Sequence, residues 1–476
     1  KFEELFHFQF LAFRRAWKRK SIIKKSSKTK TDKDSELKTK FIQNLDFNLT
    51  NSQQKVLSEI INDQNSEKPM SRLLQGDVGS GKTLIAFIAA LNAIEKGGQT
   101  ALMAPTELLA KQHADNAYKL FDNIGIRVAL LTGSIKAQER KLLLKNLKEG
   151  NIDLLIGTHA LFSNDVFFKN LSLIIIDEQH RFGVIQRLSL SEKSNEADLL
   201  LMTATPIPRT LAMTVFGDLD VSTITELPPG RIPVETHLAA MGNEHKVYDF
   251  VKRELNKGHQ AYFVYPLISK SDKTSLKDAE SMFQKLKDYY LKGINIGLIH
   301  SKLDNNTKKD IMNNFRNGEL QVIAATSVIE VGVDVPNATC MIIEHAERFG
   351  LSALHQLRGR VGRGKEQSYA FLIYSQDLTD TGIERLRIMK ESTDGFYIAE
   401  EDLKLRGPGN MSGAEQSGFL PFTISNLNTD FELLKEARKA ATSLIEEDPG
   451  LLKTENSGLR RLLNTCPPFS EKTLGE

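Results

Sequence analysis

The sequence predicts two tandem doubly wound α/β domains built on parallel sheets, with a helical C-terminal region after them. Three observations support that expectation. Short apolar runs alternate with longer amphipathic stretches, as buried parallel strands alternate with helices. The alternation stops at "ELPPGRIPVE" (226–235), which holds three prolines and a glycine, and then restarts. The first apolar run leads into "GDVGSGKT" (76–83), a phosphate-loop pattern that belongs between a strand and a helix.

Residues 1–20 read as an amphipathic helix, with Phe2, Leu5, Phe6, Phe10 and Phe13 at helical spacing. From Arg14 to Lys40 basic residues far outnumber acidic ones. Such a block suits a solvated arm, a phosphate-contacting segment, or both. "FNLTNSQQKVLSEIIND" then opens a helix that either Thr50 or Asn51 can cap. The first domain's strands are expected at 71–75, 100–105, 127–132, 153–158, 171–177 and 198–205. Those of the second are expected at 260–268, 295–300, 320–326, 338–345 and 368–374, without a phosphate loop. From Leu378 onward the chain reads as helical, then glycine-rich at "DLKLRGPGNMSGAEQSG" (402–418), then helical again at 430–447.

The chain has 476 residues, 40% of them hydrophobic, enough for two or three domains with proper cores. Its formal net charge is +3. No apolar run reaches the roughly 18 residues of a membrane span, and no cleavable signal pattern opens the chain. The two cysteines, Cys340 and Cys466, make neither a disulfide framework nor a zinc spacing, which suits a reducing cytoplasm.

The phosphate loop offers Gly76, Asp77, Val78, Gly79, Ser80 and Gly81, whose backbone N–H groups can surround the phosphates of ATP at a helix N-terminus. Lys82 reaches the β- and γ-phosphates, and Thr83 can ligate Mg²⁺. Asp177 and Glu178 end the buried run "LIIIDEQH" (173–180). Asp177 is placed to hold the metal and Glu178 to polarise the attacking water. His180 either couples the γ-phosphate to motion or bonds locally. Thr203 and Thr205, in "TATPIPRT", either exchange hydrogen bonds between domains or sit in a proline-stiffened turn. Phe47 and Gln53 either stack on and read an adenine or are a packed ring and a surface amide. In "HQLRGRVGRG" (355–364), Arg358, Arg360 and Arg363 are expected on one short helical turn, with Arg360 and Arg363 acting as arginine fingers. Gly332 and Asp334 are expected at a strand-to-helix turn, near the ribose or the closed interface. Nucleic-acid contacts are expected at 104–113, 132–134, 157–162 and 300–303 and at Thr326, mostly to phosphates.

With these motifs in this order, the chain resembles the superfamily 2 helicases and translocases. "GDVGSGKT", "MAPTELLAKQH", "DEQHRFGV", "MTATPIPRTLAM", "LPPGR", "GRVGRG" and "DGFYIAEEDLKLRGPGNMSGAEQSG" are together similar to the RecG family of bacterial ATP-dependent DNA helicases. Transcription-repair coupling translocases share most of the motor, but usually carry two glutamates before the glutamine of the acidic box. The resemblance implies two RecA-like doubly wound parallel-sheet domains plus a C-terminal helical hairpin and loop. It implies an ATP- and Mg²⁺-dependent double-stranded DNA translocase that remodels branched or forked DNA; nothing in the sequence demands more than a monomer. A single-stranded DNA-binding protein is an implied partner. Arg406 and Gln416 match the family's translocation loop, with bends at Gly407, Gly409 and Gly413; His180, Thr203 and Thr205 join them in coupling.

On this reading residues 1–40 are a helix and linker left from a missing wedge domain. Residues 41–230 and 231–377 are the two helicase domains, and 378–476 hold the hairpin, loop and C-terminal helix. The sequence departs from the family at Asn410 and Met411 and in its last residues, "LNTCPPFSEKTLGE". A repair-coupling or RNA-directed motor, and an ATP-binding scaffold without fork activity, are the competing expectations.

Overall fold

The structure, a computed structural model, describes residues 1–24, 36–178, 196–203, 219–266, 281–300, 302–326, 335–406, 424–425 and 430–465. The chain divides into two compact units. One comprises Lys1–Gly76, Ser80–Glu226 and Arg406–Glu476; the other comprises Asp77–Gly79 and Leu227–Leu405.

The first unit is built on β1 (Ser71–Gly76), β2 (Gln99–Met103), β3 (Val128–Leu131), β4 (Leu154–Gly157), β5 (Leu171–Ile176), β6 (Asp198–Thr203) and β7 (Asp220–Ile224). They pair in the order β3-β4-β2-β5-β6-β1-β7, with every pairing parallel. The two-residue period of a strand splits the apolar runs between two cores. Leu74, Leu102, Leu173 and Ile175 enter one, while Leu73, Met103, Ile174 and Ile176 enter the other. A sheet covered on both faces explains why its strands read as unbroken apolar runs. The helices are α1 (Phe2–Lys20), α2 (Glu36–Gln43), α3 (Asn51–Asn65), α4 (Lys82–Glu95), α5 (Glu107–Phe121) and α6 (Ala137–Glu149). Thr50, not Asn51, caps α3: its hydroxyl accepts from Gln53 N at 3.2 Å while Gln53 Oε1 accepts from Thr50 N at 2.9 Å. That reciprocal box stabilises the helix start by about 1 kcal/mol.

The second unit holds β8 (Glu235–Ala240), β9 (Gln260–Tyr265), β10 (Ile296–Ile299), β11 (Val322–Thr326), β12 (Ala338–Ile343) and β13 (Tyr369–Tyr374). Their order is β10-β11-β9-β12-β13-β8, again all parallel. Its helices are α7 (Glu244–Asn256), α8 (Asn305–Arg316), α9 (Leu351–Arg358), α10 (Asp380–Glu391) and α11 (Gly395–Arg406). Val251, Leu255, Phe263 and Ile342 share a core beneath α7. Cys340 is buried, and burial pushes its thiol up to about 12, so it is an inert filler.

Two strands, β7 and β8, lie outside the expected runs. Both are sheet edges. Edge position tolerates polar residues, and "DVSTI" and "ETHLAA" carry them, whereas the other two edges, β3 and β10, keep apolar runs and lie within the expected ones.

The first unit is completed by α12 (Phe431–Glu447) and α13 (Ser457–Thr465). The aromatic stripe of α1 packs on α12. Leu5 meets Leu434 and Ala437, while Phe10 and Leu11 meet Ala441 and Ile445. The Arg438 guanidinium lies 5.2 Å from the Phe13 ring centre. Beyond α1, part of the basic segment is anchored to the unit. Arg19 Nη2 donates to Ala197 O at 2.8 Å, and Lys24 Nζ lies 2.7 Å from Asp198 Oδ1. Residues 25–35 of that segment lie outside the described residues. Among the described residues, no helix is long and apolar enough to cross a membrane.

Candidate functional site

In a doubly wound sheet, ligands gather beyond the carboxyl ends of the strands. In the first unit, the expected nucleotide residues follow β1, β5 and β6, which are neighbours. The segments 104–113, 132–134 and 157–162 follow β2, β3 and β4, the other neighbouring set. One half of the sheet thus presents the phosphate loop, and the other half presents the expected nucleic-acid segments.

Gly81 is the N-cap of α4, in left-handed conformation at φ 88°. Gly79 is left-handed too, at φ 75°. A side chain at either position would strain the turn that aims backbone N–H groups inward. Lys82 opens α4, is buried, and donates from Nζ to Gly76 O at 2.8 Å. Thr83 follows in the first turn. Gln53 is buried, so the surface-amide reading does not hold. Its Nε2 donates to Ser80 O at 2.8 Å, tying α3 to the phosphate loop. Phe47 is 48% exposed, so its ring is not packed in the core.

Asp177 follows β5, where its N–H donates to Met103 O at 2.9 Å. Its Oδ2 lies 2.8 Å from His113 Nε2, and its Oδ1 accepts from Glu178 N at 2.9 Å. Burial pushes this carboxyl up. The hydrogen bond from His113, the His113 and Lys82 charges and the Glu178 amide outweigh burial and hold it below the usual carboxylate value. Glu178 sits at φ 51°, a left-handed conformation that is uncommon for a residue with a side chain. Strain of this kind tends to collect at functional positions. Thr203 ends β6, buried, in register with Gln75 of β1.

The donor set fits a hard cation. A hydroxyl at Thr83 and an ionised carboxylate at Asp177 are oxygen ligands of the kind Mg²⁺ takes, with phosphates and water completing its shell. Among the described residues, no cluster of three His, Cys, Asp or Glu side chains forms a cage of its own.

Asp77–Gly79 group with the second unit. Asp77 Oδ1 lies 2.6 Å from His355 Nε2, and Oδ2 accepts from Gly395 N at 3.2 Å. Arg231 donates to Val78 O. The three arginines do not share a helical turn. Helix α9 ends at Arg358, with Gly359 as its C-cap, and Arg360 and Arg363 lie in the turn beyond. Arg358 is 3% exposed and faces inward, donating to Met389 O at 2.9 Å and Ser392 O at 2.8 Å. Arg363 Nε donates to Gly359 O at 3.1 Å. Arg360 and Arg363 lie close enough to Tyr262 of β9 to act on its phenol electrostatically.

The segments of the first unit expected to meet nucleic acid are held together. Thr106 caps α5, and Glu107 accepts from Ser134 N at 3.2 Å and Ser134 Oγ at 3.1 Å, joining 104–113 to 132–134. Thr158 N donates to Leu131 O at 3.3 Å, joining 157–162 to the same cluster. In the second unit, His300 and Thr326 stand at the ends of the paired strands β10 and β11.

His180, Thr205, Gly332, Asp334 and Gln416 lie outside the described residues, as do Gly407, Gly409, Gly413, Asn410 and Met411. The backbone of Arg406 is the last residue of α11. His113 was not singled out by motif reading. Its signal is a histidine on a buried stripe of small residues, with Ala110, Ala114, Ala117 and Phe121.

Three families match segments of the chain. Residues 50–214 match the DEAD/DEAH box helicase, 244–365 the helicase conserved C-terminal domain, and 392–466 ATP-dependent DNA helicase RecG, domain 3, C-terminal. The ATP-dependent DNA helicase RecG of Borreliella burgdorferi is 51% identical over 433 residues, covering 91% of this chain and 62% of that protein. The chain therefore spans under two thirds of that relative's length. The ATP-dependent DNA helicase RecG of Streptococcus pneumoniae is 47% identical over 454 residues, covering 94% of this chain and 67% of that protein. Among solved structures, RecG bound to a three-way DNA junction matches with a TM-score of 0.74 and 46% identity, covering 91% of this chain and 56% of that one.

Proposed function

The chain belongs to the RecG family of ATP-dependent DNA helicases, and from that premise we propose that it couples ATP hydrolysis to movement on double-stranded DNA at branched junctions. Fork reversal and Holliday junction migration in recombination and repair are the activities this reading assigns. The observation that carries it is the division of one sheet. The phosphate loop and Asp177 follow β1 and β5, and the expected DNA segments follow β2, β3 and β4.

In this reading Lys82 leaves the Gly76 carbonyl for the β- and γ-phosphates, and the loop from Gly76 to Gly81 cradles them with backbone N–H groups. Thr83 and Asp177 hold Mg²⁺, which supplies charge neutralisation at the phosphates. Glu178 orients the attacking water. Phe47 stacks on the adenine, Gln53 exchanges its amide bonds to Thr50 and Ser80 for the adenine edge, and Gly332 and Asp334 lie near the ribose. Arg360 and Arg363 act on the γ-phosphate where charge develops, an effect of roughly 10³-fold or more for an arginine finger. His180, Thr203 and Thr205 pass the loss of that phosphate on, and Arg406 and Gln416 convert it into a push on the duplex. A single-stranded DNA-binding protein as partner and a monomeric motor belong to the same proposal.

The test separates hydrolysis from work. Lys82→Ala is expected to abolish both ATP hydrolysis and fork unwinding. Arg406→Ala and Gln416→Ala are expected to keep DNA-stimulated hydrolysis and lose unwinding. Full unwinding by both coupling variants would refute the proposed coupling.

A further inference from the structure

We propose that His113 is the positioning residue for Asp177 and thereby sets the Mg²⁺ affinity of the nucleotide site. The inference rests on the reading of Asp177 as a metal ligand given above.

Helix α5 buries Ala110, His113, Ala114, Ala117 and Phe121 along one stripe. Small apolar residues suffice for packing there, so a histidine brings a polar ring into a place that needs none. A structural histidine of this kind usually satisfies both nitrogens locally. His113 does not. Its Nδ1 is buried and has no hydrogen-bond partner among the described residues, while Nε2 lies 2.8 Å from Asp177 Oδ2. Nε2–H is thus the group that meets the carboxylate.

The contact is not required to hold the strand. The β2–β5 pairing already aligns Met103 with Ile176, and Asp177 N already donates to Met103 O. What remains for the imidazole to hold is the carboxylate itself. Glu178 N donates to Oδ1 and His113 to Oδ2, so each oxygen takes one donor and the plane of the group is set. A carboxylate fixed in this way keeps lone pairs on both oxygens for a metal ion. Partners of this outer kind typically change metal affinity or activity by 10–100-fold when removed. The position of His113 adds a second point. It ends "APTELLAKQH", the segment joined by Glu107 to Ser134, so one helix carries both the expected DNA contacts and the group that orients Asp177.

The experiment uses the full chain, a fluorescent ADP analogue and a MgCl₂ titration, with binding rather than turnover as the readout. His113→Ala is expected to raise the half-saturating Mg²⁺ concentration about 10-fold or more, with analogue affinity in EDTA unchanged. His113→Gln, whose amide N–H reaches a similar point, is expected to recover most of that loss. His113→Leu fills the space and replaces His113→Ala if the latter melts early. Wild-type Mg²⁺ dependence in a folded Ala or Leu variant would overturn the proposal, as would a folded Gln variant no better than Ala. Analogue binding that ignores Mg²⁺ in the wild type would instead remove the metal-site reading, and this inference with it.

Discussion

Replacing Arg358 by alanine should destabilise the second unit before it touches chemistry. The guanidinium is 3% exposed and donates from Nη1 to two carbonyls, Met389 O and Ser392 O, at 2.9 and 2.8 Å. Its Nη2 lies 3.0 Å from His355 Nδ1, whose other nitrogen lies 2.6 Å from Asp77. Burial lowers the guanidinium to about 10, against the raising effect of Asp77, so it stays charged at neutral pH. A hydrogen bond from a charged donor contributes roughly 1.5–3 kcal/mol, and truncation leaves both carbonyls without it. The expected loss is about 3–5 kcal/mol. For a unit of roughly 150–250 residues, each kcal/mol lowers the melting temperature by about 2–4 °C. Calorimetry should therefore show the Arg358→Ala transition at least about 6 °C lower. Arg358→Lys should recover only part, because one ammonium cannot hold the two carbonyls and also replace the separate Nη2 contact to His355. Arg360→Ala and Arg363→Ala should lower the melting temperature less than Arg358→Ala does and lose kcat. An Arg358→Ala protein melting within about 2 °C of wild type would refute the assignment of this arginine to the scaffold.

Three further outcomes can be measured. Glu344 is buried, accepts a 2.5 Å hydrogen bond from Tyr248, and is raised to about 7 from 4.5, chiefly by burial. The folded state then holds its proton more tightly than the unfolded one. Stability should fall as pH rises from about 4.5 to 7, by about 3 kcal/mol, and urea unfolding of Glu344→Gln should lack that slope. Asp198 is raised to about 6 by burial and pairs with Lys24 at 2.7 Å. Lys24→Met should therefore destabilise more at pH 8, where an ionised Asp198 loses its ion-pair partner and keeps only the Met70 amide and the Arg19 charge, than at pH 5; the difference is about 3 kcal/mol by denaturant titration. DNA affinity, measured by anisotropy, should fall about 10³-fold or more between 50 and 200 mM salt if six or more phosphates are contacted. A flat salt response would speak against a phosphate-tracking interface.

The interior of both sheets was legible because strands buried on two faces carry little but apolar residues. The edge strands β7 and β8 were not, since "DVSTI" and "ETHLAA" have the mixed composition of half-exposed backbone. The phosphate loop was legible because its chemistry demands glycines, a lysine and a hydroxyl at set spacing. Directions of side chains were less so. Spacing placed three arginines on one turn, but the helix ends at Gly359 and turns Arg358 inward. Gln53 has the right type for an adenine contact, yet its amide is engaged by Thr50 and Ser80. His113 was legible only as the end of an expected nucleic-acid segment, because its place beside Asp177 depends on the β2–β5 pairing that brings α5 there, a long-range contact no local pattern encodes.

The central claim is an ATP-driven motor whose track is branched double-stranded DNA. Steady-state ATP hydrolysis by the wild type and Lys82→Ala should be compared on forked DNA, linear duplex, single strands and RNA. The account predicts strongest stimulation by forked DNA, weaker stimulation by linear duplex, little by single strands or RNA, and none of it in Lys82→Ala. Hydrolysis that responds best to RNA, that ignores nucleic acid, or that survives the loss of Lys82 would contradict it.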